Sequence, residues 1–101
     1  MVFLTNKNSQ YTQPMPFYVY MLLSKGDKPV SYVGYTSNLK NRISLHNTGK
    51  GAKFTRGRKW KLIYKEKFTS KNKAILREYY IKKNRKFRNK IKNENFNFVT
   101  L

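Results

Sequence analysis

Tyrosine, arginine, histidine and glutamate are spaced in this sequence so that together they could hydrolyse a phosphodiester. Tyr20 and Tyr32 lie in two runs rich in aromatic and aliphatic residues. Arg42 and His46 stand at i and i+4, and Glu78 falls in the middle of a helical pattern. Residues four apart on a helix stack on one face. A guanidinium is a planar fork suited to phosphate oxygens, and an imidazole titrates near neutral pH and can relay protons. A phenol, with a reference pKa of about 10, acts as a base only beside positive charge; Arg42 and a metal ion would supply that charge.

Glu78 is the candidate ligand for the ion. Ala74 at i−4, Ile75 at i−3 and Ile81 at i+3 place it in the most apolar stripe of its helix, where a carboxylate is costly unless paired or metal-bound. The plain alternative is an ordinary helix glutamate paired with Arg77, Lys82 or Lys83. The rival acid, Glu66, ends a strand between Lys65 and Lys67, where a solvated salt bridge is the simple account. By itself His46 would be an exposed or internally bonded ring, and Tyr20 and Tyr32 strand aromatics filling space. Tyr18 and Tyr35 are read as structural.

The charge balance narrows the partners. Lys and Arg number 23 against four acids, a formal net charge of +19 over 101 residues. Such a balance opposes compaction by self-repulsion and favours a polyanion, and nucleic acid gains further from counterion release. No apolar run approaches the roughly 20 residues needed to span a bilayer, so no membrane partner is expected. The absence of cysteine excludes disulfides, thiolate catalysis and zinc–thiolate sites. With no signal-like start, this suits a cytoplasmic protein. A two-metal site needs several converging carboxylates; the acids here allow at most one ion.

A chain of this length is one domain, able to withdraw roughly 60–65% of its unfolded surface from water. Residues 1–15 are polar and aperiodic and read as a flexible leader, with Met15 before Pro16 a candidate start. Phe17 to Leu23 is a strand, with Phe17, Val19, Met21 and Leu23 on one side and Tyr18, Tyr20 and Leu22 on the other. Ser24 to Pro29 is turn chemistry. Ser31 to Thr36 is a second strand, forming a hairpin that brings Tyr20 and Tyr32 together. Thr36, Ser37 and Asn38 are N-cap candidates for a helix over Leu39 to Asn47, with Leu39, Arg42, Ile43 and His46 on one face. A basic loop runs from Thr48 to Lys59, and Trp60 to Glu66 alternates as a strand, with Trp60, Leu62 and Tyr64 on one face. Ser70 caps a helix to about Asn84, and a basic helix covers Arg85 to Asn93.

The loop from Gly49 to Arg58 combines glycines, cations and Phe54, but lacks the Gly-Lys-Ser/Thr ending of a P-loop and does not follow a strand. Lys50, Lys53, Arg56 and Arg58, with Lys82 on the later helix, suit phosphate contacts, and Phe54 suits base stacking.

Taken in order, Tyr18-Val19-Tyr20, Tyr32-Val33-Gly34, Tyr35 to Leu39 with Arg42 and His46-Asn47, Gly49 to Gly57, and Ala74 to Glu78 with Ile81-Lys82 resemble the GIY-YIG endonuclease superfamily, most closely its small single-domain bacterial members. The likeness spans about residues 17–88. It implies an α/β (α+β) domain over residues 16–94, with a small central three-stranded antiparallel sheet flanked by helices and a tail over 95–101. It implies phosphodiester hydrolysis in DNA with one Mg²⁺ or Mn²⁺ ion held by Glu78. By the same analogy Tyr20, directly or with His46, accepts the proton of the attacking water; Tyr32 positions water or phosphate; Arg42 steadies the transition state; and Gly34 permits close packing. Tyr18 stands where the family name has Gly, and His46 where some relatives have Tyr. For a downstream Asn seen in several relatives, Asn84, Asn89 and Asn93 all compete. The leading reading is an endonuclease acting on branched or damaged DNA in repair or recombination. A chain this small has no separate reading module, so it either recognises DNA shape or borrows a protein partner for selectivity. The competing reading is a non-catalytic basic module that binds DNA or RNA.

Overall fold

The computed structural model describes residues 16–95, so the leader over 1–15 and the tail beyond Asn95 lie outside the described residues. Strands β1 (Phe17–Ser24), β2 (Ser31–Thr36) and β3 (Trp60–Phe68) form one antiparallel sheet in the order β2-β1-β3. Helix α1 (Leu39–Asn47) follows β2, and helices α2 (Lys71–Lys83) and α3 (Arg85–Glu94) follow β3. The result is an α+β fold, as the resemblance implies.

β1 is the central strand and is covered on both faces, which is why its run is apolar throughout. Val19 and Met21 join Val33, Ala74, Ile81 and Ile91 in a core layer beneath α2 and α3. Tyr20 and Leu22 join Trp60 in a second layer on the other face, completed by Leu39 and Ile43 of α1. Tyr20 and Tyr32 thus face α1, whereas α2 lies against the opposite face, packed on β1 and β2.

The alternation expected of β3 fails at one place. Met21 pairs with Tyr64 but Leu22 with Leu62, so the register slips across Ile63. This bulge turns Tyr64 away from Trp60 and Leu62: Ile63 and Tyr64 both pack on the α2–α3 side.

The helix ends follow their caps. Asn38 caps α1, its side chain accepting from the Asn41 amide at 3.1 Å, and Ser70 does the same for Lys73 on α2 at 3.3 Å. α1 stops in a Schellman turn: Gly49 takes φ +78°, and the amides of Gly49 and Lys50 donate to the carbonyls of His46 and Leu45. That turn reverses the chain immediately after His46 and folds the basic loop back over it.

Candidate active site

His46 is fully buried at the end of α1, and its ring is hydrogen-bonded on both sides. Nε2 meets the Tyr20 hydroxyl at 2.7 Å and Nδ1 meets the Thr55 hydroxyl at 2.9 Å. Tyr32 lies against the same imidazole, with ring centroids 4.9 Å apart, and 6.4 Å from the Tyr20 ring. The hairpin register explains the convergence: Tyr20 pairs with Gly34 and Leu22 with Tyr32, so both phenols leave one face toward α1.

Glycines make the room. A Cβ on Gly34 would stand 2.6 Å from the Tyr20 hydroxyl oxygen, and one on Gly51 would stand 2.5 Å from His46 Nδ1. Either methyl would displace the pair.

Arg42 stands one turn before His46, and the Tyr20 and Tyr32 phenols, Tyr20 foremost, push its guanidinium pKa above the ordinary value against the effect of burial. Burial pushes the Tyr20 phenol up to about 12, with Arg42 pulling it down and the charge of Glu78 adding to the rise. Burial, and then Arg42, holds the His46 imidazole below its ordinary range. At neutral pH the imidazole is therefore uncharged and free to accept a proton.

Glu78 comes from the other face of the sheet, yet its carboxylate is near enough to oppose ionisation of Tyr20. Its side chain is only 17% exposed, and Lys82 lies 3.5 Å from it. Ala74 and Ile81 flank it in the core as expected, but Ile75 does not: it is 36% exposed, rotated outward with Leu76, Tyr79 and Tyr80. At 3.6 residues per turn, the buried stripe of α2 is narrow enough to exclude Ile75. Glu66 is the structural acid. Arg77 grips it through Nε at 3.0 Å and Nη2 at 2.9 Å, and the Tyr64 hydroxyl also donates to it. Burial pushes this carboxyl up, but those donors outweigh it and hold it below the ordinary range.

The basic loop rims the phenols. Phe54 is 55% exposed and stacks on Tyr32 at 6.3 Å with a 19° tilt between rings, and the Arg58 guanidinium lies 5.9 Å from the Phe54 centroid. Lys50, Lys53 and Arg56 are exposed on the same loop. Lys82 and Arg88 line a groove with Ser31, Tyr32 and Val33. Of the three asparagine candidates, Asn84 is a cap: its Oδ1 accepts from the Phe87 amide and its Nδ2 donates to the Tyr80 hydroxyl. Asn89 and Asn93 are exposed on α3. Thr55 was not singled out by sequence reasoning, although it is the one hydroxyl side chain between Gly49 and Arg58.

No group of three or more His, Cys, Asp or Glu converges among the described residues. A multi-carboxylate metal centre is therefore not present there. The donor set does fit one hard cation of the Mg²⁺ type, which keeps several waters and takes one or two carboxylates plus substrate phosphate oxygens; Glu78, shielded and paired only loosely with Lys82, can serve as that carboxylate.

One side of the three-stranded sheet thus carries two phenols, an imidazole and a guanidinium, with a shielded glutamate nearby. The chain belongs to the GIY-YIG catalytic domain family, whose model matches residues 16–92, and with it to a nuclease superfamily. Among curated relatives it is 54% identical to a UPF0213 protein of Clostridium perfringens over 65% of this chain and 70% of that protein. It is 47% identical to a UPF0213 protein of Oceanobacillus iheyensis over 64% and 74%. A UPF0213 protein of Lactiplantibacillus plantarum is 41% identical over 77% and 79%. No solved structure matches. Among the described residues no helix is long and apolar enough to cross a membrane.

Proposed function

We propose that this chain is a metal-dependent endonuclease that hydrolyses phosphodiester bonds in DNA, acting in the cytoplasm on branched or damaged structures in repair or recombination. The observation that carries the reading is the buried 2.7 Å contact between Tyr20 and His46 beside Arg42. A phenol pushed to about 12 is a poor base alone. Joined to a neutral imidazole it need never carry full charge: as Tyr20 takes a proton from the attacking water, its own passes to His46. Arg42 then meets the negative charge that builds on the phosphate, and Tyr32 orients the reacting group.

Glu78 would hold one Mg²⁺ or Mn²⁺ ion, which when bound neutralises charge on the scissile phosphate. Phe54 offers a stacking face to a base and Lys50, Lys53, Arg56, Arg58 and Lys82 contact backbone phosphates, while a protein partner would supply selectivity beyond DNA shape.

The test is cleavage of branched and linear DNA with and without Mg²⁺, using the full chain and Glu78→Gln. Metal-dependent nicking should be lost in the variant, by about a hundredfold or more, while DNA binding persists. Binding without cleavage by the parent chain under every condition would instead establish a basic nucleic-acid-binding module. Equal cleavage by the variant would remove Glu78 from the reaction.

A further inference from the structure

We infer that Thr55 is a positioning residue: its hydroxyl fixes His46 in the Nδ1-protonated tautomer, leaving Nε2 bare to receive the Tyr20 proton. The inference rests on the nuclease reading for its consequence, but the tautomer itself follows from hydrogen-bond inventory.

The Thr55 hydroxyl oxygen lies 2.8 Å from the Ala52 carbonyl oxygen. A carbonyl can only accept, so two oxygens this close attract only with the hydroxyl proton between them. Threonine has a single such proton. Once it is given to Ala52, the hydroxyl can only accept from the imidazole nitrogen 2.9 Å away, and His46 Nδ1 must carry hydrogen. A neutral imidazole has one N–H, so Nε2 presents its lone pair, and the Tyr20 hydroxyl at 2.7 Å donates to it.

The surroundings keep Thr55 in this role. It is fully buried in the 3-10 turn Lys53–Thr55, where its own amide also donates to the Ala52 carbonyl at 3.0 Å. The Trp60 indole Nε1 donates to the Thr55 carbonyl at 2.9 Å, tying the turn to the start of β3. A Cβ at Gly51 would stand 2.5 Å from Nδ1, so the glycine leaves the ring its place beside the loop. The opposite tautomer would aim a Tyr20 lone pair at an Nε2–H, and the phenol would have no imidazole acceptor for its proton.

The chain has one histidine, so a two-bond ¹H–¹⁵N spectrum of the labelled full chain, in mildly alkaline buffer, reads this tautomer without ambiguity. The expected result is an unprotonated Nε2 in the parent chain, loss of that preference in Thr55→Val, and its return in Thr55→Ser. Cleavage should fall by about a hundredfold in Thr55→Val with DNA affinity unchanged, the lower end of what general acid–base catalysis supplies, and recover in Thr55→Ser. A parent spectrum with Nε2 protonated overturns the inference and needs no variant to fold. An unchanged spectrum in Thr55→Val overturns it too. Either of those with cleavage intact leaves the nuclease reading standing. The expected tautomer in a chain that cuts no DNA would instead remove the nuclease reading and leave the hydrogen-bond assignment in place.

Discussion

Arg42 acts on two protons at once. Its charge lowers the pKa of the Tyr20 phenol, against burial, and adds to burial in lowering that of His46. Removing it therefore moves both groups upward. Under the proposed proton route the rate needs neutral His46, so the acid limb of the pH–rate profile follows the imidazole and lies below the ordinary histidine value of about 6.5. Arg42→Gln should shift that limb toward neutral pH, because the imidazole then holds its proton more tightly. It should also lower kcat by about a hundredfold or more through the lost phosphate contact. A profile that drops without moving would show that Arg42 serves the phosphate alone. At this scale the sequence was legible where residue type and spacing speak: Arg42 and His46 share a face because they are four apart, and Tyr20 and Tyr32 meet because a short hairpin joins their strands. Thr55 and Gly51 were not legible, because their partner His46 lies across a loop with no periodicity. Which hydroxyl or glycine closes on the ring depends on how the Schellman turn after Asn47 aims that loop.

The elements that present these residues are joined by a side chain imitating a strand. Asn47, the last residue of α1, accepts from the Trp60 amide at 2.6 Å and donates to the Trp60 carbonyl at 3.2 Å. It thereby supplies the first residue of β3 with both bonds a neighbouring strand would give, and locks α1 to the sheet beside His46. Asn47→Ala leaves an amide and a carbonyl of a buried residue without those partners, so unfolding should become easier by about 1–3 kcal/mol. The single tryptophan is the residue affected, so its fluorescence during urea unfolding measures the loss. A midpoint equal to that of the parent would mean that water replaces the side chain at no cost. Most elements could be read beforehand: β2 and α1 begin and end where the patterns and caps placed them, while β3 runs two residues further, to Phe68, than its alternation suggested. The bulge at Ile63 could not be read, since a register slip arises between strands and leaves no mark on either alone. The outward turn of Ile75 was hidden similarly, because an apolar residue at the margin of a helical stripe can lie on either side of the boundary.

For the whole molecule, the charge of +19 couples folding and binding with opposite signs. In the free protein the cations repel one another across a small sheet domain, and only four acids offset them. Added salt screens that repulsion, since the Debye length falls from about 10 Å at 0.1 M to about 3 Å at 1 M. The melting temperature should therefore rise with NaCl over this range. Affinity for DNA should fall over the same titration, because each phosphate neutralised by Lys or Arg releases counterions that added salt drives back. With six or more such contacts the loss between 50 and 200 mM is about a thousandfold or greater. Neutralising Lys53, Arg56 and Arg58 together separates the two effects. These chains are exposed on one loop, so their removal should reduce self-repulsion and flatten the salt dependence of melting. If the loop lies on the DNA backbone, the same triple variant should reduce the slope of log affinity against log salt by about one per cation removed. A variant that melts with less salt dependence but keeps the full binding slope would move the DNA contacts off this loop and onto the cations of α2 and α3.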